Sequence, residues 1–177
     1  MTWQEALRRA KRRAKKHPVA RYAQLATVDE GEARCRTVVV RGIDDDGIGF
    51  VTDGRSAKVG QLAANDRAEL CWYFVGLREQ FRLRGLIETL EGGARAEAWA
   101  QLSPPGRGTF FNPPPGTQRS EEDTFVSESH APEPPDTFVA MALRAERVER
   151  LELRPSPHER TAWTLDGEAW VEERLRP

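Results

Sequence analysis

Residues Tyr22–Lys58 have the sequence YAQLATVDEGEARCRTVVVRGIDDDGIGFVTDGRSAK. Apolar and β-branched residues dominate three segments of it, which we predict to be strands: Tyr22–Val28, Ala33–Ile43 and Ile48–Thr52. The two turns between these segments, Asp29–Gly31 and Asp44–Gly47, are acidic and end in glycine, which is typical of hairpins. Consecutive strands joined by such short turns pair in antiparallel fashion.

The rest of the chain continues this pattern, with short helices between the strands. Helices are predicted within residues 1–20, where Thr2 and Glu5 can form a capping box, at Ser56–Asn65 with Ser56 as its cap, and at Ala94–Leu102. Residues 103–136 are rich in proline and are predicted to be a loop within the domain. Further strands are predicted at Ala68–Val75, Gln80–Leu90, Thr137–Arg144, Val148–Leu153, Arg160–Leu165 and Ala169–Leu175. The pattern favours a mainly β (α+β) fold, an antiparallel barrel with a few short helices.

Length and composition restrict the class of protein. A chain of 177 residues is expected to form one domain, spanning residues 1–177. Its net charge of −1 gives no general attraction for nucleic acid or for an anionic membrane, and no apolar run reaches the length of a membrane span. Cys35 and Cys71 lie far apart among apolar strand residues. We therefore expect buried free thiols, no metal site and a cytoplasmic protein.

The segment Thr52–Lys58 contains a strand end, a glycine turn and a helix start in direct succession. Cations are unfavourable at a helix start, because the unpaired amide groups there carry partial positive charge. Arg55 and Lys58 stand at this position, so an anion between them would remove the conflict. A phosphate that accepts hydrogen bonds from Thr52, Ser56 and the two cations is the expected ligand. Exposed lysines near helix starts are also common, and a solvated helix end is the alternative.

Arg36 and Arg41 stand at the two ends of the strand segment RTVVVR. A core strand with arginines at its exposed ends explains this pattern without a ligand. Strict alternation puts positions 36 and 41 on opposite faces of the strand. Both side chains can meet one ligand only if the strand is bulged or strongly twisted, and Gly42 marks the expected place.

Two later segments supply further polar candidates. Gln80 alternates with apolar residues in EQFRLRG and can both donate hydrogen bonds to a bound ring and accept them from it, although a solvated strand face explains it equally. His158 and Arg160 follow a proline-containing turn at the start of a strand. His158 is the only candidate for a general acid or base, but a histidine in such a turn is usually a surface residue.

Taken in order, these motifs resemble the pyridoxamine 5'-phosphate oxidase family from about Tyr22 to the C-terminus. The resemblance rests on Arg-x-Val-Val-Val-Arg, then Val-Thr, then Ser-x-Lys, then the strand ending in Cys71-Trp-Tyr-Phe74, then Glu79-Gln-Phe-Arg82 and His158-x-Arg160. In detail the chain is most similar to a poorly characterised FMN-binding branch of that family. The resemblance implies a split β-barrel of about six strands in Greek-key order. It also implies a homodimer with one FMN at each end of the subunit interface.

The resemblance also implies which residues contact FMN. Carried over position by position, the cofactor-binding residues are Arg36, Arg41, Val51, Thr52, Ser56, Lys58, Gln80, Gln118, Phe138 and Arg160. The phosphate is expected near Ser56 and Lys58. Gln118 is expected to come from the other subunit, and Phe138 to stand where the family has a tryptophan beside the flavin.

Two departures from the family pattern affect the expected chemistry. Ala57 replaces an arginine between the serine and the lysine, and Arg55 is predicted to supply that charge to FMN. Ser156 falls where the oxidase has an arginine that grips the phosphate of its substrate. A charge-assisted contact of that kind contributes about 1.5–3 kcal/mol. The loss weakens the case for pyridoxamine 5'-phosphate as the substrate, and the electron donor stays unidentified.

An FMN-dependent oxidoreductase is the predicted function. A non-catalytic flavin-binding or flavin-sensing protein of the same fold is the first alternative, because the sequence does not distinguish an enzyme from a binder. Nucleic-acid binding through the basic segment Arg8–Lys16 is the second alternative. The net charge and the absence of a helix-turn-helix or zinc pattern argue against it.

Overall fold

Six antiparallel strands close into a barrel in the computed structural model, which describes residues 1–45 and 47–177. In chain order they are β1 (Tyr22–Asp29), β2 (Glu32–Ile43), β3 (Gly47–Asp53), β4 (Arg67–Phe74), β5 (Glu79–Leu90) and β6 (Phe138–Glu152). Their spatial order is β3-β2-β1-β4-β5-β6, and β6 pairs with β3 to close the barrel. β1 to β3 form a meander and β4 returns to lie beside β1, which is Greek-key order. The predicted mainly β fold, an antiparallel split barrel, is confirmed.

Additional strands and helices flank the barrel. Two strands, β7 (Glu159–Asp166) and β8 (Ala169–Leu175), extend the sheet outward from the second half of β6. The helices of the described part of the chain lie at the N-terminus, between β3 and β4, and between β5 and β6. They are α1 (Trp3–Ala14), α2 (Ala57–Ala64), α3 (Gly92–Ala100), α4 (Pro104–Gly108) and a 3₁₀ helix at Thr109–Phe111.

The long strand β6 corrects one prediction. Thr137–Arg144 and Val148–Leu153 were expected to be separate strands, but they belong to one continuous strand. The pairing with β5 shifts where Arg84 and Gly85 face Arg147 and Ala145, so Glu146 is an extra residue in a β-bulge. The bulge absorbs the polar segment that resembles a turn in the sequence.

β6 approaches β3 and β5 unusually closely near the same place. A Cβ atom on Gly47 would overlap the carbonyl oxygen of Leu143, and one on Gly85 would overlap that of Arg144. Each glycine therefore permits a backbone contact that any other residue would push apart.

The barrel interior and the inner face of α1 form one buried cluster. Trp3 and Leu7 of α1 belong to it together with barrel residues such as Trp72 and Phe81. The helix begins with the predicted capping box, in which the Glu5 amide donates to Thr2 Oγ1 at 3.2 Å and the Thr2 amide donates to Glu5 Oε2 at 2.9 Å. The N-terminal helix thus covers part of the barrel core and ends at Ala14.

A second buried cluster lies where the proline-rich segment meets the barrel. Trp99, Phe110 and Phe138 pack edge to face, with ring centroids 5.1 Å apart for Trp99–Phe138 and 4.9 Å for Phe110–Phe138. Short helices interrupt the predicted loop at Pro104–Phe111, because Ser103 caps α4 and prolines are tolerated in a first helical turn. Burial of Phe110 fixes this part of the segment on the barrel.

The two cysteines differ in their exposure to solvent. Cys35 is exposed and Cys71 is partly buried, so the prediction of buried thiols is wrong for Cys35, whose side chain points away from the barrel core.

The predicted turn at Asp44–Gly47 includes Asp46, which lies outside the described residues. Within residues 1–45 and 47–177, no helix has the length and apolar character needed to cross a membrane. The same residues contain no group of His, Cys, Asp and Glu side chains arranged to hold a metal ion.

Candidate functional site

Three residues predicted to bind phosphate converge where β3 ends and α2 begins. Lys58 Nζ donates to Thr52 Oγ1 at 2.8 Å and to Ser56 Oγ at 2.8 Å. The two hydroxyl oxygens lie 3.2 Å apart, within hydrogen-bond distance of each other. Ser56 stands at the N-cap of α2, but its side chain makes no capping bond, because it is engaged with Lys58 and Thr52.

Arg36 extends this group, and the four residues Arg36, Thr52, Ser56 and Lys58 are called the Lys58 cluster below. Burial lowers the pKa of Lys58, and the positive charge of Arg36 lowers it further. Burial also lowers the pKa of Arg36. The ion pairs found among the described residues include neither of these cations. The cluster is therefore a pair of partly buried positive charges that an anion would stabilise.

Two polar residues that the sequence did not single out hold Arg36 in place. Its guanidinium donates to Thr27 Oγ1 at 2.7 Å and to Gln61 Oε1 at 2.6 Å, and it also reaches the carbonyl oxygen of Leu25 at 3.1 Å. Thr27 and Gln61 are buried and are joined by a hydrogen bond of 2.8 Å. A glutamine beside Leu62 on the buried face of α2 is the signal that could have identified this support.

Arg41 occupies the predicted bulge. The pairing of β2 with β3 shifts between Val40 and Gly42, which makes Arg41 the extra residue. Its side chain lines a cavity of about 480 Å³ together with Val51 and Thr52. Arg36 instead makes its hydrogen bonds with Thr27 and Gln61, so the bulge does not bring the two arginines to the same contacts.

Thr52 connects the cavity with the Lys58 cluster. It lines the cavity and also accepts the hydrogen bond from Lys58. The opposite wall of the cavity is formed by the proline-rich segment, through residues that include Phe110, Asn112 and Pro113. A ligand with a phosphate at the Lys58 cluster can therefore extend into this cavity.

Arg55 does not face the other members of its predicted site. Its guanidinium donates to the Asp53 carboxylate at 2.7 and 3.0 Å and to the carbonyl oxygen of Asn112 at 2.8 Å. The prediction that Arg55 supplies charge to the cofactor is not reflected in these contacts.

Gln80 and Arg160 lie together on another part of the sheet. Both pair with Leu151 of β6, Gln80 from β5 and Arg160 from β7, so the three residues form one row on the same face. Arg160 donates to Glu149, through Nε at 3.1 Å and through a shorter bond from Nη2. Arg147 donates to the same carboxylate at 2.9 Å.

The charge of Glu149 is stabilised by these arginines. Burial raises the pKa of Glu149, but the hydrogen bonds from Arg160 and Arg147 outweigh burial and bring the pKa below its usual range. The sequence did not identify Glu149, because its position opposite Arg82 depends on the register of β5 and β6.

The two groups of predicted cofactor contacts are far apart within one chain. Thr52 pairs with Val139 near the start of β6, and Arg160 pairs with Leu151 near its end. At about 3.3 Å per residue, these two points of β6 are roughly 40 Å apart along the strand. The two groups therefore lie toward opposite ends of β6.

The remaining predicted residues join neither group. Gln118 is exposed in the proline-rich segment, and Phe138 is only 1% exposed within the second buried cluster. His158 is exposed, and its Nδ1 lies 3.1 Å from the carbonyl oxygen of Pro155.

Sequence comparison places these features among known proteins. A family model described as pyridoxamine 5'-phosphate oxidase, FMN-binding domain, matches residues 1–91. A pyridoxine/pyridoxamine 5'-phosphate oxidase of Ectopseudomonas mendocina (strain ymp) is 33% identical over 165 residues, which cover 86% of this chain and 76% of that protein. Pyridoxine/pyridoxamine 5'-phosphate oxidase 2 of Arabidopsis thaliana is 30% identical over 174 residues, which cover 88% of this chain and 87% of the relative.

Solved structures extend the comparison to the whole fold. The crystal structure of a pyridoxamine 5'-phosphate oxidase-related, FMN binding protein from Nostoc punctiforme PCC 73102 matches with a TM-score of 0.91 and 34% identity, covering 100% of this chain and 98% of the other. PhzG from Burkholderia lata 383 matches with a TM-score of 0.80 and 21% identity, covering 98% and 91%. The second likeness concerns the fold alone.

Proposed function

This chain belongs to the pyridoxamine 5'-phosphate oxidase family of FMN-binding proteins, and from that premise we propose that it is an FMN-dependent oxidoreductase. FMN is the cofactor of the matching domain. The observation that carries the proposal is the Lys58 cluster, in which Lys58 and Arg36 lie partly buried and donate hydrogen bonds to uncharged groups, Lys58 to two hydroxyl groups and Arg36 to a hydroxyl group and to Gln61.

The chemistry of the cluster fits the phosphate of FMN. A phosphate accepts charge-assisted hydrogen bonds from an ammonium and a guanidinium group, and hydroxyl groups can donate to it as well. The start of α2 adds amide groups without a side-chain cap, which also favour an anion. When bound, the flavin supplies the redox chemistry, while the protein supplies binding and orientation. In this proposal Arg41 and Val51 line the path of the cofactor away from its phosphate.

We propose further that the working form is a homodimer in which a second copy completes each FMN site. The support is the position of Thr52 near one end of β6 and of Arg160 near the other, which separates Gln80 and Arg160 from the Lys58 cluster of the same chain. Gln80 and Arg160 from a second copy can meet the ring of that FMN if the two chains associate through the outer face of β5, β6 and β7. The Glu149 carboxylate then orients Arg160.

The electron donor is proposed to be a small molecule other than pyridoxamine 5'-phosphate. Ser156 is an exposed, uncharged residue in the turn before β7, where the resemblance places an arginine for the substrate phosphate. The position therefore offers no charge-assisted contact to such a group. The free thiols of Cys35 and Cys71 fit a reducing compartment, and we place the protein in the cytoplasm.

The first test is whether the purified protein carries FMN. Flavin absorbance and identification of the released cofactor by mass support the proposal, and turnover with a panel of donors tests the enzymatic part. Protein that is colourless and also fails to take up added FMN would refute it. Bound FMN without turnover of any donor would instead establish the flavin-binding or flavin-sensing alternative.

Mixing two defective variants tests the shared site. Lys58→Met removes the phosphate contact and Arg160→Ala removes the ring contact, so each homodimer has two damaged sites. If a site takes Lys58 from one chain and Arg160 from the other, exchange of subunits restores about one quarter of the sites. Restoration of none, with exchange verified, contradicts a site shared between chains.

A further inference from the structure

Arg55 stands where the sequence predicts a phosphate ligand, but its hydrogen bonds lead to the proline-rich segment. Asp53 holds it on one side, where one carboxylate oxygen accepts from the Arg55 amide at 2.8 Å and from Nε at 3.0 Å, and the other accepts from Nη2 at 2.7 Å. Nη2 also donates to the carbonyl oxygen of Asn112 at 2.8 Å. The planar guanidinium group therefore joins the end of β3 to a residue far away in the chain.

Asp53 and Arg55 form an ion pair in which the carboxylate is the more buried partner. The Asp53 side chain is 14% exposed and that of Arg55 is 33% exposed. Burial raises the pKa of Asp53, but the hydrogen bonds from Arg55 outweigh burial and lower the pKa below its usual range. Rotation of the guanidinium toward the Lys58 cluster would break these bonds and leave the carboxylate without its hydrogen-bonded cation.

Asn112 is also hydrogen-bonded to a later residue of the proline-rich segment. Its side-chain oxygen accepts from the Val126 amide at 2.7 Å, so one residue is bonded to Arg55 through its backbone and to Val126 through its side chain. Nearby, Thr137 Oγ1 donates to the carbonyl oxygen of Phe110 at 2.7 Å. The segment is thus fixed at Phe110 and at Asn112, on both sides of the exposed Phe111.

The fixed segment forms one wall of the cavity beside Arg41 and Thr52. Phe110, Asn112 and Pro113 belong to this wall. Because the other wall consists of barrel strands, the width of the cavity depends on where the segment is held. Among the described contacts of this wall, the bond from Arg55 to Asn112 ties it, through the Asp53–Arg55 pair, to the strand that carries Thr52.

We propose that Arg55 is a positioning residue, which fastens the segment Thr109–Pro115 as the outer wall of the cofactor cavity and so sets the shape of the space open to the electron donor. It does not bind the FMN phosphate. This inference rests on the proposed function, because it assigns the cavity to FMN and its donor.

Two variants separate positioning from phosphate binding. In Arg55→Met the bond to Asn112 is lost, and amide hydrogen exchange at Val126 and in the segment around it is expected to rise at least about tenfold in the cofactor-free protein. The dissociation constant for FMN is expected to stay within about threefold of wild type, because Arg55 is not in the phosphate contact. Lys58→Met is the matched control, with the reverse outcome of unchanged exchange at Val126 and FMN affinity reduced at least about tenfold.

Arg55→Lys distinguishes the geometry of the side chain from its charge. A lysine keeps the positive charge but lacks the planar fork, so a positioning role predicts raised exchange at Val126 in this variant as well. Unchanged exchange in both Arg55 variants would overturn the proposal. So would a loss of FMN affinity of about tenfold in Arg55→Met that Arg55→Lys restores, since that pattern belongs to a phosphate ligand.

The same measurements distinguish a failure of the positioning role of Arg55 from a failure of the proposed FMN function. Hydrogen exchange is measured in cofactor-free protein, so it tests the attachment whether or not FMN binds. If wild-type protein takes up no FMN, the proposed function fails, while exchange at Val126 still decides whether Arg55 holds the segment. With FMN bound, a changed ratio of KM values between a bulky and a compact donor in Arg55→Met is the expected functional result, and an unchanged ratio contradicts control of the cavity shape.

Discussion

Replacement of Lys58 with methionine is expected to weaken FMN binding while leaving the cofactor-free protein at least as stable as wild type. When no anion is bound, the charge of the partly buried Lys58 ammonium group is unfavourable, because burial and the positive charge of Arg36 both lower its pKa. Thr52 and Ser56, which accept its hydrogen bonds, lie 3.2 Å apart and can bond to each other after its removal. Methionine fills a similar volume without the charge.

FMN binding is expected to weaken clearly, whereas the stability of the cofactor-free protein is expected to stay the same or to rise slightly. A charge-assisted hydrogen bond to a phosphate contributes about 1.5–3 kcal/mol, so the dissociation constant should rise by a factor of about 10 to 150. The free energy of unfolding without FMN should change by between zero and a gain of about 1 kcal/mol. At FMN equal to about 100 times the wild-type dissociation constant, the cofactor stabilises wild type by about 2.7 kcal/mol. A variant that binds about 50 times more weakly gains only about 0.6 kcal/mol under the same conditions.

Urea unfolding with and without FMN measures both effects, and quenching of flavin fluorescence gives the dissociation constants. Lys15→Met is the control, because Lys15 is an exposed residue at the end of α1 and should change neither quantity. A cofactor-free Lys58→Met protein that loses more than about 1 kcal/mol, with FMN affinity unchanged, would refute the reasoning. Lys58 would then be a structural residue, and the phosphate would bind elsewhere.

Two further predictions concern stability and its pH dependence. Gly85→Ala should lower the free energy of unfolding by about 1–3 kcal/mol, because the new Cβ would overlap the Arg144 carbonyl oxygen. Gly60→Ala is the control, because there is open space beside Gly60 in α2, and it should raise the free energy of unfolding by about 0.5–1 kcal/mol. Equal urea midpoints for the two variants would contradict this. Glu149 has a lowered pKa in the folded protein, so its contribution to stability is present above the unfolded pKa and lost as the pH falls through the folded value. Glu149→Gln should therefore cost about 1–2 kcal/mol near neutral pH and flatten the acid limb of stability against pH, while the exposed Glu146→Gln changes stability by less than about 0.5 kcal/mol.

The sequence predicts those parts of the fold that local pattern determines. The strands of Tyr22–Thr52 alternate in hydrophobicity and end in turn residues, and the structure confirms them to within one residue at each end. The continuity of β6 could not be predicted in the same way. Ala145–Arg147 is polar enough for a turn, but it stays in the sheet because it pairs with Arg84 and Gly85 on β5 and, through Arg147, with Thr164 on β7.

The candidate site also contains some contacts that the local sequence predicts and others that it does not. Thr52, Ser56 and Lys58 lie within seven residues of one another in the chain, and a strand end followed by a helix start brings them together without help from distant segments. The contacts of Arg36 with Thr27 and Gln61 depend on how α2 packs against β1 and β2. Contacts of this second kind require the three-dimensional arrangement, because nothing in the local sequence specifies the partner.

The bulge at Glu146 links the barrel core to the second half of the candidate site. Before the bulge, Leu143 and Ala145 point into the core, and after it the alternation shifts so that Val148 does so. The shift places Glu149 on the outer face, beside Arg160. Without the extra residue, a carboxylate that pairs with this arginine would point into the apolar core. In the proposed dimer the outer face of β5, β6 and β7 must therefore meet the Lys58 cluster of the second copy, since the strand that closes the barrel fixes Arg160 on that face.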